Sequence, residues 1–159
     1  FYGFRTEVNA SRKINLLVGG RVDRIDMKEG TVRIIDYKTG RVTDSLASVE
    51  DLFEEDRNRD PDGWLQTLVY CEAYLSQNPD ARLFPAIYKI RKDPGKDPSE
   101  MLRIKPDLSV NDYRIIREAF LAGLKNLLDK IFSSSEPFTM TEKAWNKCRY
   151  CPYRVLCQR

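Results

Sequence analysis

One stretch governs how this chain can fold. Thr31-Val32-Arg33-Ile34-Ile35-Asp36-Tyr37-Lys38 sets two adjacent isoleucines directly ahead of an aspartate and a lysine. Neighbouring side chains of a strand point to opposite faces, so this strand needs apolar cover on both sides, as in the middle of a sheet. Met27-Lys28-Glu29-Gly30 supplies a turn before it, and the preceding strand carries Asp23 and Asp26. A turn of that length sets Asp26 opposite Thr31 and Asp23 opposite Ile34. Ile34, Asp36 and Lys38 then share one face, and Asp23 is a diagonal neighbour of Asp36, with β-carbons about 7 Å apart. Two carboxylates at that separation reach one hard cation. Lys38 can hold an attacking water or offset charge developing on a phosphate. The main-chain carbonyl of Tyr37 is a further candidate ligand. Asp-x-Lys triplets are common on solvated hairpins. Here the charges follow two isoleucines at the end of a buried strand, where a bound metal would compensate them.

The rest of the chain alternates in type. Residues 4–11 and 14–26 read as strands, and 49–55 as a short acidic helix. A helix is predicted from Trp64 to about Gln77, followed by strands over 83–92 and 101–105 joined at Pro94-Gly95. Ser109 with Asp112 resembles a capping box opening a long helix, whose stripe Tyr113, Ile116, Phe120, Leu124, Leu127, Ile131 keeps helical spacing. Strands, helix, strands, helix predict one mixed α/β domain over 1–159, with 144–159 as a C-terminal cysteine segment. At 42% apolar and 32% charged, the chain has the composition of a folded globular domain. No apolar run approaches a membrane span and no signal peptide is present, so a cytoplasmic protein is expected. The chain opens on Phe1, mid-pattern, and reads as a piece of a longer polypeptide. A net charge of +3 does not itself argue for nucleic acid.

Two further constellations carry chemistry. Gln66 and Tyr70 stand four apart in the first long helix, beside its stripe of Leu65, Leu68, Val69 and Leu75. An amide and a phenol there could contact a nucleotide; ordinary hydrogen bonding on a helix shoulder explains them as well. Cys148, Cys151 and Cys157 follow C-x2-C-x5-C, a spacing suited to a metal cluster, and zinc and iron–sulfur both fit it. Cys71 lies near the edge of the apolar stripe and reads as core. The Gly95-Lys96 pair is followed by Asp97, so no phosphate-binding P-loop is present.

G-R-V-D-R-I-D, I-I-D-Y-K-T-G and L-Q-T-L-V-Y together resemble the PD-(D/E)XK nuclease superfamily, in its RecB-like branch. The terminal cysteines, preceded by Pro137-Phe138, resemble the iron–sulfur end of AddB-type helicase–nuclease subunits and of CRISPR-associated adaptation nucleases. The likeness runs from about Val18 to Cys157. It implies a restriction-endonuclease-like core, a central mixed sheet flanked by helices. It implies a metal-dependent deoxyribonuclease, an exonuclease domain of a RecB/AddB-type helicase–nuclease in double-strand-break repair or recombination. Asp23 and Asp36 would hold Mg2+ or Mn2+, Lys38 would be catalytic, and Gln66 and Tyr70 would help bind the strand being cut. Cys148, Cys151 and Cys157 would be three of four ligands to a [4Fe–4S] cluster. The implied partners are DNA and a helicase region or subunit, with no membrane. Two features of the family are missing: an upstream acidic residue or histidine, for which Glu7 is a weaker substitute, and the fourth cysteine. Alternatives are a free-standing cluster nuclease of CRISPR or phage-related DNA processing, and a non-catalytic DNA-binding scaffold.

Overall fold

The computed structural model of the chain describes residues 1–9, 13–40, 42–43, 45–54, 61–90, 99–105, 107–135, 137, 148 and 151–157. Strands β1 (Tyr2–Asn9) and β2 (Lys13–Gly20) pair antiparallel as a two-stranded sheet of their own. The principal sheet contains β3 (Arg24–Lys28), β4 (Thr31–Lys38), β6 (Leu83–Lys89) and β7 (Ser99–Met101), in the order β3-β4-β6-β7. A third small sheet joins β5 (Ser45–Leu46), β8 (Arg103–Ile104) and β9 (Leu108–Ser109). Helix α1 (Asp62–Leu75) connects β4 to its parallel neighbour β6, and α2 (Arg117–Phe132) follows the last strand. The fold is mixed α/β, with a parallel pair flanked by antiparallel strands.

The isoleucine pair does what its spacing requires. Ile34 joins Trp64, Leu68, Leu83 and Ile87 in the main buried cluster. Ile35 points the other way yet is equally hidden, beside its register partner Ala86. β4 is therefore central in space as well as in pattern.

The turn before it differs from expectation. Glu29 and Gly30 have φ of 50° and 75°, so both central residues of a two-residue turn adopt the left-handed region. Such a primed turn matches the right-handed strand twist. It closes the hairpin at Lys28–Thr31 and pairs Asp26 with Arg33, shifting the register by two residues from Asp26 opposite Thr31. An even shift leaves every side chain on its expected face.

Other boundaries move for local reasons. The strand expected over 14–26 breaks after Gly20, because β2 leaves to pair with β1 while β3 joins the principal sheet. Leu102, fully buried, separates β7 from β8, and its carbonyl accepts from Val110 N–H at 2.9 Å. The expected acidic helix is a single 3₁₀ turn at Glu50–Leu52. Ser109 belongs to β9 and caps nothing. Asp112 caps instead, accepting from Arg114 N–H at 3.1 Å, and opens a 3₁₀ turn at Tyr113–Ile115 before α2. The expected turn at Pro94-Gly95, the strand ends at Ser11 and Lys92, the acidic helix end at Glu55, Phe138 and much of 144–159 fall outside the described residues.

One polar device ties α1 to α2. Glu72, almost wholly buried, receives Arg117 through Nε at 2.8 Å and Nη2 at 2.7 Å, and accepts from the Tyr113 hydroxyl at 3.0 Å. Burial drives the Tyr113 phenol far above its usual range, with Glu72 adding to the effect. Arg117→Ala should destabilise the fold by roughly 2–3 kcal/mol, since a buried carboxylate would be left with one neutral donor. Glu72→Leu should cost less, because the half-exposed guanidinium can turn to water. Urea unfolding of the two variants checks that ordering.

Candidate active site

β4 and α1 build the site between them. Alternation along β4 aims Ile34, Asp36 and Lys38 at α1, whereas Ile35 and Tyr37 face away. Asp36 is only 1% exposed, and its Oδ2 lies 2.8 Å from Lys38 Nζ. That contact is an ion pair, and Oδ2 has no other polar partner among the described residues. Burial raises the pKa of Asp36. Lys38 opposes that rise, and the negative charge of Asp23 adds to it. The carboxylate is thus held where its charged form is disfavoured.

Asp23 reaches the same place from the bend between β2 and β3. Its Oδ2 accepts from Tyr37 N–H at 3.0 Å. Val32 N–H and Lys38 C=O bond toward β6, so ladder alternation turns the N–H and C=O of Tyr37 to the other side, where Asp23 stands. Continuing the observed hairpin register would set Asp23 opposite Asp36 rather than Ile34. One carboxylate is buried and one exposed, and the charge of Asp23 is felt at Asp36.

The ammonium of Lys38 is held from a third direction. It donates to Gln66 Oε1 at 2.8 Å, and Gln66 Nε2 donates to the Tyr70 hydroxyl at 2.8 Å. Asp36, Lys38, Gln66 and Tyr70 therefore form one continuous polar line from β4 along α1. Sequence reasoning placed Gln66 and Tyr70 together on one helix face; it gave no sign that the amide meets Lys38.

The reverse face has a different character. Tyr37 and Tyr88 are register partners whose rings meet edge-on at 5.5 Å, and Arg24 reaches the Tyr37 hydroxyl at 3.3 Å. Arg33 clamps Asp26 through two bonds of 2.6 and 2.8 Å, holding that carboxyl below its usual range. Asp26 is thereby committed and contributes nothing to the α1 face.

Glu7 lies elsewhere. β1 and β2 pair Tyr2 with Gly20 and Glu7 with Asn15, so Glu7 sits five residues along the hairpin, about 17 Å from the Gly20 end. It makes an exposed ion pair with Lys13 at 2.9 Å. Cys71 is fully buried in the core, and burial pushes its thiol well up, away from ligand chemistry. Cys151 N–H bonds the Cys148 carbonyl at 3.1 Å and Cys157 N–H bonds the Tyr153 carbonyl at 3.2 Å, two successive turns. Cys148 and Cys151 are half-buried and Cys157 is exposed. Among the described residues no set of three or more His, Cys, Asp or Glu side chains is assembled around a common point.

A magnesium-like cation needs less than that. It is commonly held by one or two carboxylates, with water and substrate phosphate completing an octahedron. Asp23 and Asp36 supply that number, and the buried Oδ2 of Asp36, paired only with the Lys38 ammonium among the described residues, keeps lone-pair capacity for a cation. The residues present fit such an ion. Among the described residues no ligand set for an iron–sulfur cluster is assembled.

A family model described as the PD-(D/E)XK nuclease superfamily matches residues 2–158. No curated protein and no solved structure shows significant similarity to the chain.

Proposed function

The chain belongs to the PD-(D/E)XK nuclease superfamily, and from that premise we propose that it hydrolyses phosphodiester bonds in DNA using Asp23, Asp36 and Lys38. Nucleases of this superfamily generally depend on Mg2+ or Mn2+, and the mixed α/β architecture is consistent with their restriction-endonuclease-like fold. The observation that carries the proposal is Asp36, a buried carboxylate with an unfilled oxygen beside a lysine. A fold keeps such a group only where something else compensates it.

When bound, the cation would supply Lewis-acid polarisation of the phosphate and a more acidic water. Asp23 and Asp36 would hold it, with the Tyr37 carbonyl as a third donor. Lys38 stands on the same face, where its ammonium can orient water or offset charge on the phosphoryl oxygens in an in-line displacement. Lys38 is partly exposed, so its head can turn from Asp36 toward substrate.

Isothermal titration of the full-length protein with Mn2+ tests this. Binding that weakens at least 100-fold in Asp36→Asn is expected, since losing a ligand should cost no less than the roughly 10–100-fold typical of outer-shell changes. An unaltered Mn2+ affinity in that variant would sink the proposal, and no binding by either protein would favour the scaffold reading.

The finer setting is an exonuclease of RecB/AddB type, working with a helicase region in double-strand-break repair. Its support is the order and spacing of four motifs. Linear and covalently closed circular DNA distinguish the modes: an exonuclease leaves the circle intact. The resemblance of the C-x2-C-x5-C segment to the cysteine end of cluster-bearing nucleases supports a [4Fe–4S] end piece, zinc fitting the spacing equally, and no reaction step passes through it. Protein purified without oxygen should be brown if iron occupies these thiols and colourless if zinc does.

A further inference from the structure

Among the described residues, the Lys38 side chain is surrounded by features that serve its placement. Its stem passes over Gly63, where an added β-carbon would sit 3.2 Å from Lys38 Cε and 3.1 Å from Ile87 Cδ1. One turn on, its ammonium meets Gln66 Oε1. One turn further, Tyr70 receives the other end of that amide. Gly63, Gln66 and Tyr70 are spaced three and four apart and so line a single stripe of α1. Tyr70 is 7% exposed, and its ring lies on Gly20, where a β-carbon would come within 2.9 Å of Cε1 and 3.2 Å of the hydroxyl oxygen. A phenol so enclosed is poorly placed to reach a strand lying on the surface.

The chemistry of the line is directional. An ammonium has donors only, so the Gln66 atom facing it must be the carbonyl oxygen. The amide nitrogen then points at Tyr70, whose hydroxyl oxygen accepts from it and anchors the far end of the amide. We infer that Gln66 and Tyr70 are positioning residues that hold Lys38 in place, rather than contacts for the nucleic acid. This rests on the nuclease reading above. A free lysine head samples many rotamers, and a held one needs less reorganisation when charge develops beside it.

The test uses the full-length protein, a labelled linear duplex, and two readouts: turnover at saturating DNA with Mn2+, and DNA affinity with chelator present. Gln66→Met keeps helix propensity and length but removes the acceptor. Tyr70→Phe keeps the ring on Gly20 and removes only the hydroxyl. Gln66→Met should lower kcat about tenfold and Tyr70→Phe about threefold, each with DNA affinity within about twofold of wild type. The double variant should be no slower than Gln66→Met alone, because Tyr70 acts through the amide. A tenfold loss of DNA affinity with kcat intact overturns the inference in favour of strand contact, and so do losses that multiply in the double variant. Wild-type protein that cuts nothing while all variants fold would instead remove the nuclease reading, and this inference with it.

Discussion

Asp36→Asn should reduce cleavage at least about a thousandfold, the upper range for losing one electrostatic stabiliser, while making the cation-free protein harder to unfold. Both effects come from the same burial. The carboxylate is 1% exposed, its Oδ2 has no polar partner but the Lys38 ammonium among the described residues, and its pKa is raised chiefly because it is buried. Charge held there near neutral pH opposes folding, so a neutral amide of equal size should relieve roughly 1 kcal/mol. The sign with pH follows from linkage. A carboxyl whose folded pKa lies above its unfolded value contributes stability that is fully present below the unfolded value. That contribution is lost as pH rises through the folded one. In chelator, the advantage of Asp36→Asn should therefore be largest at neutral pH and shrink as pH falls toward about 4, the ordinary range of an aspartate. Mn2+ should reverse the order, raising the melting temperature of wild type and leaving the variant unmoved. Thermal melts over a pH series, with and without Mn2+, decide it. A variant no more stable than wild type in chelator would mean that Asp36 is better compensated than its surroundings indicate.

What the chain disclosed in advance was mostly parity and period. Ile34-Ile35 identified β4 as central, and alternation put Asp36 and Lys38 on one side; neither depends on the register. The register was harder to read because Glu-Gly is a weaker hairpin signal than Asn-Gly, so nothing marked Glu29 as the residue adopting positive φ. Asp23 illustrates the consequence. A register different by two keeps it at a position of the same parity as Asp36, whereas a slip of one would turn it to the other face.

Elements fixed by distant partners were less legible. β2 and β3 read as one strand over 14–26, and only the separate pairing of β2 with β1 breaks it. Ser109 imitates a cap, yet β9 claims it for pairing with Arg103. The Glu72–Tyr113–Arg117 junction links positions 41 and 45 residues apart, beyond the reach of any local pattern. The Lys38–Gln66 bond spans 28 residues. Helical spacing could pair Gln66 with Tyr70, but only the packing of α1 across β4 could bring the amide to the lysine. The same packing makes Gly63 informative: in sequence it is one glycine at a helix start, and in space it is the gap the lysine crosses.

Lys38→Met should also abolish cleavage, again by about a thousandfold or more, but its effect on stability has the opposite sign to that of Asp36→Asn. Methionine keeps the stem that lies over Gly63 and removes the ammonium 2.8 Å from Asp36 Oδ2. The lysine head is partly solvated, so the loss falls below that of a fully buried pair, roughly 1–2 kcal/mol. Asp36 would then be buried without its cation, and Gln66 Oε1 without its donor. In the Asp36→Asn background Lys38→Met should cost almost nothing, leaving the double variant as stable as Asp36→Asn alone, because no buried charge remains for the ammonium to offset. The four proteins close a double-mutant cycle whose coupling measures the ion pair directly. A hairpin bearing these charges for solubility alone would give near-zero coupling and two stability changes that simply add, as exposed pairs usually do. A coupling of about 1–2 kcal/mol, with neither single variant cutting DNA, requires that Asp36 and Lys38 be held together at a cost to the fold.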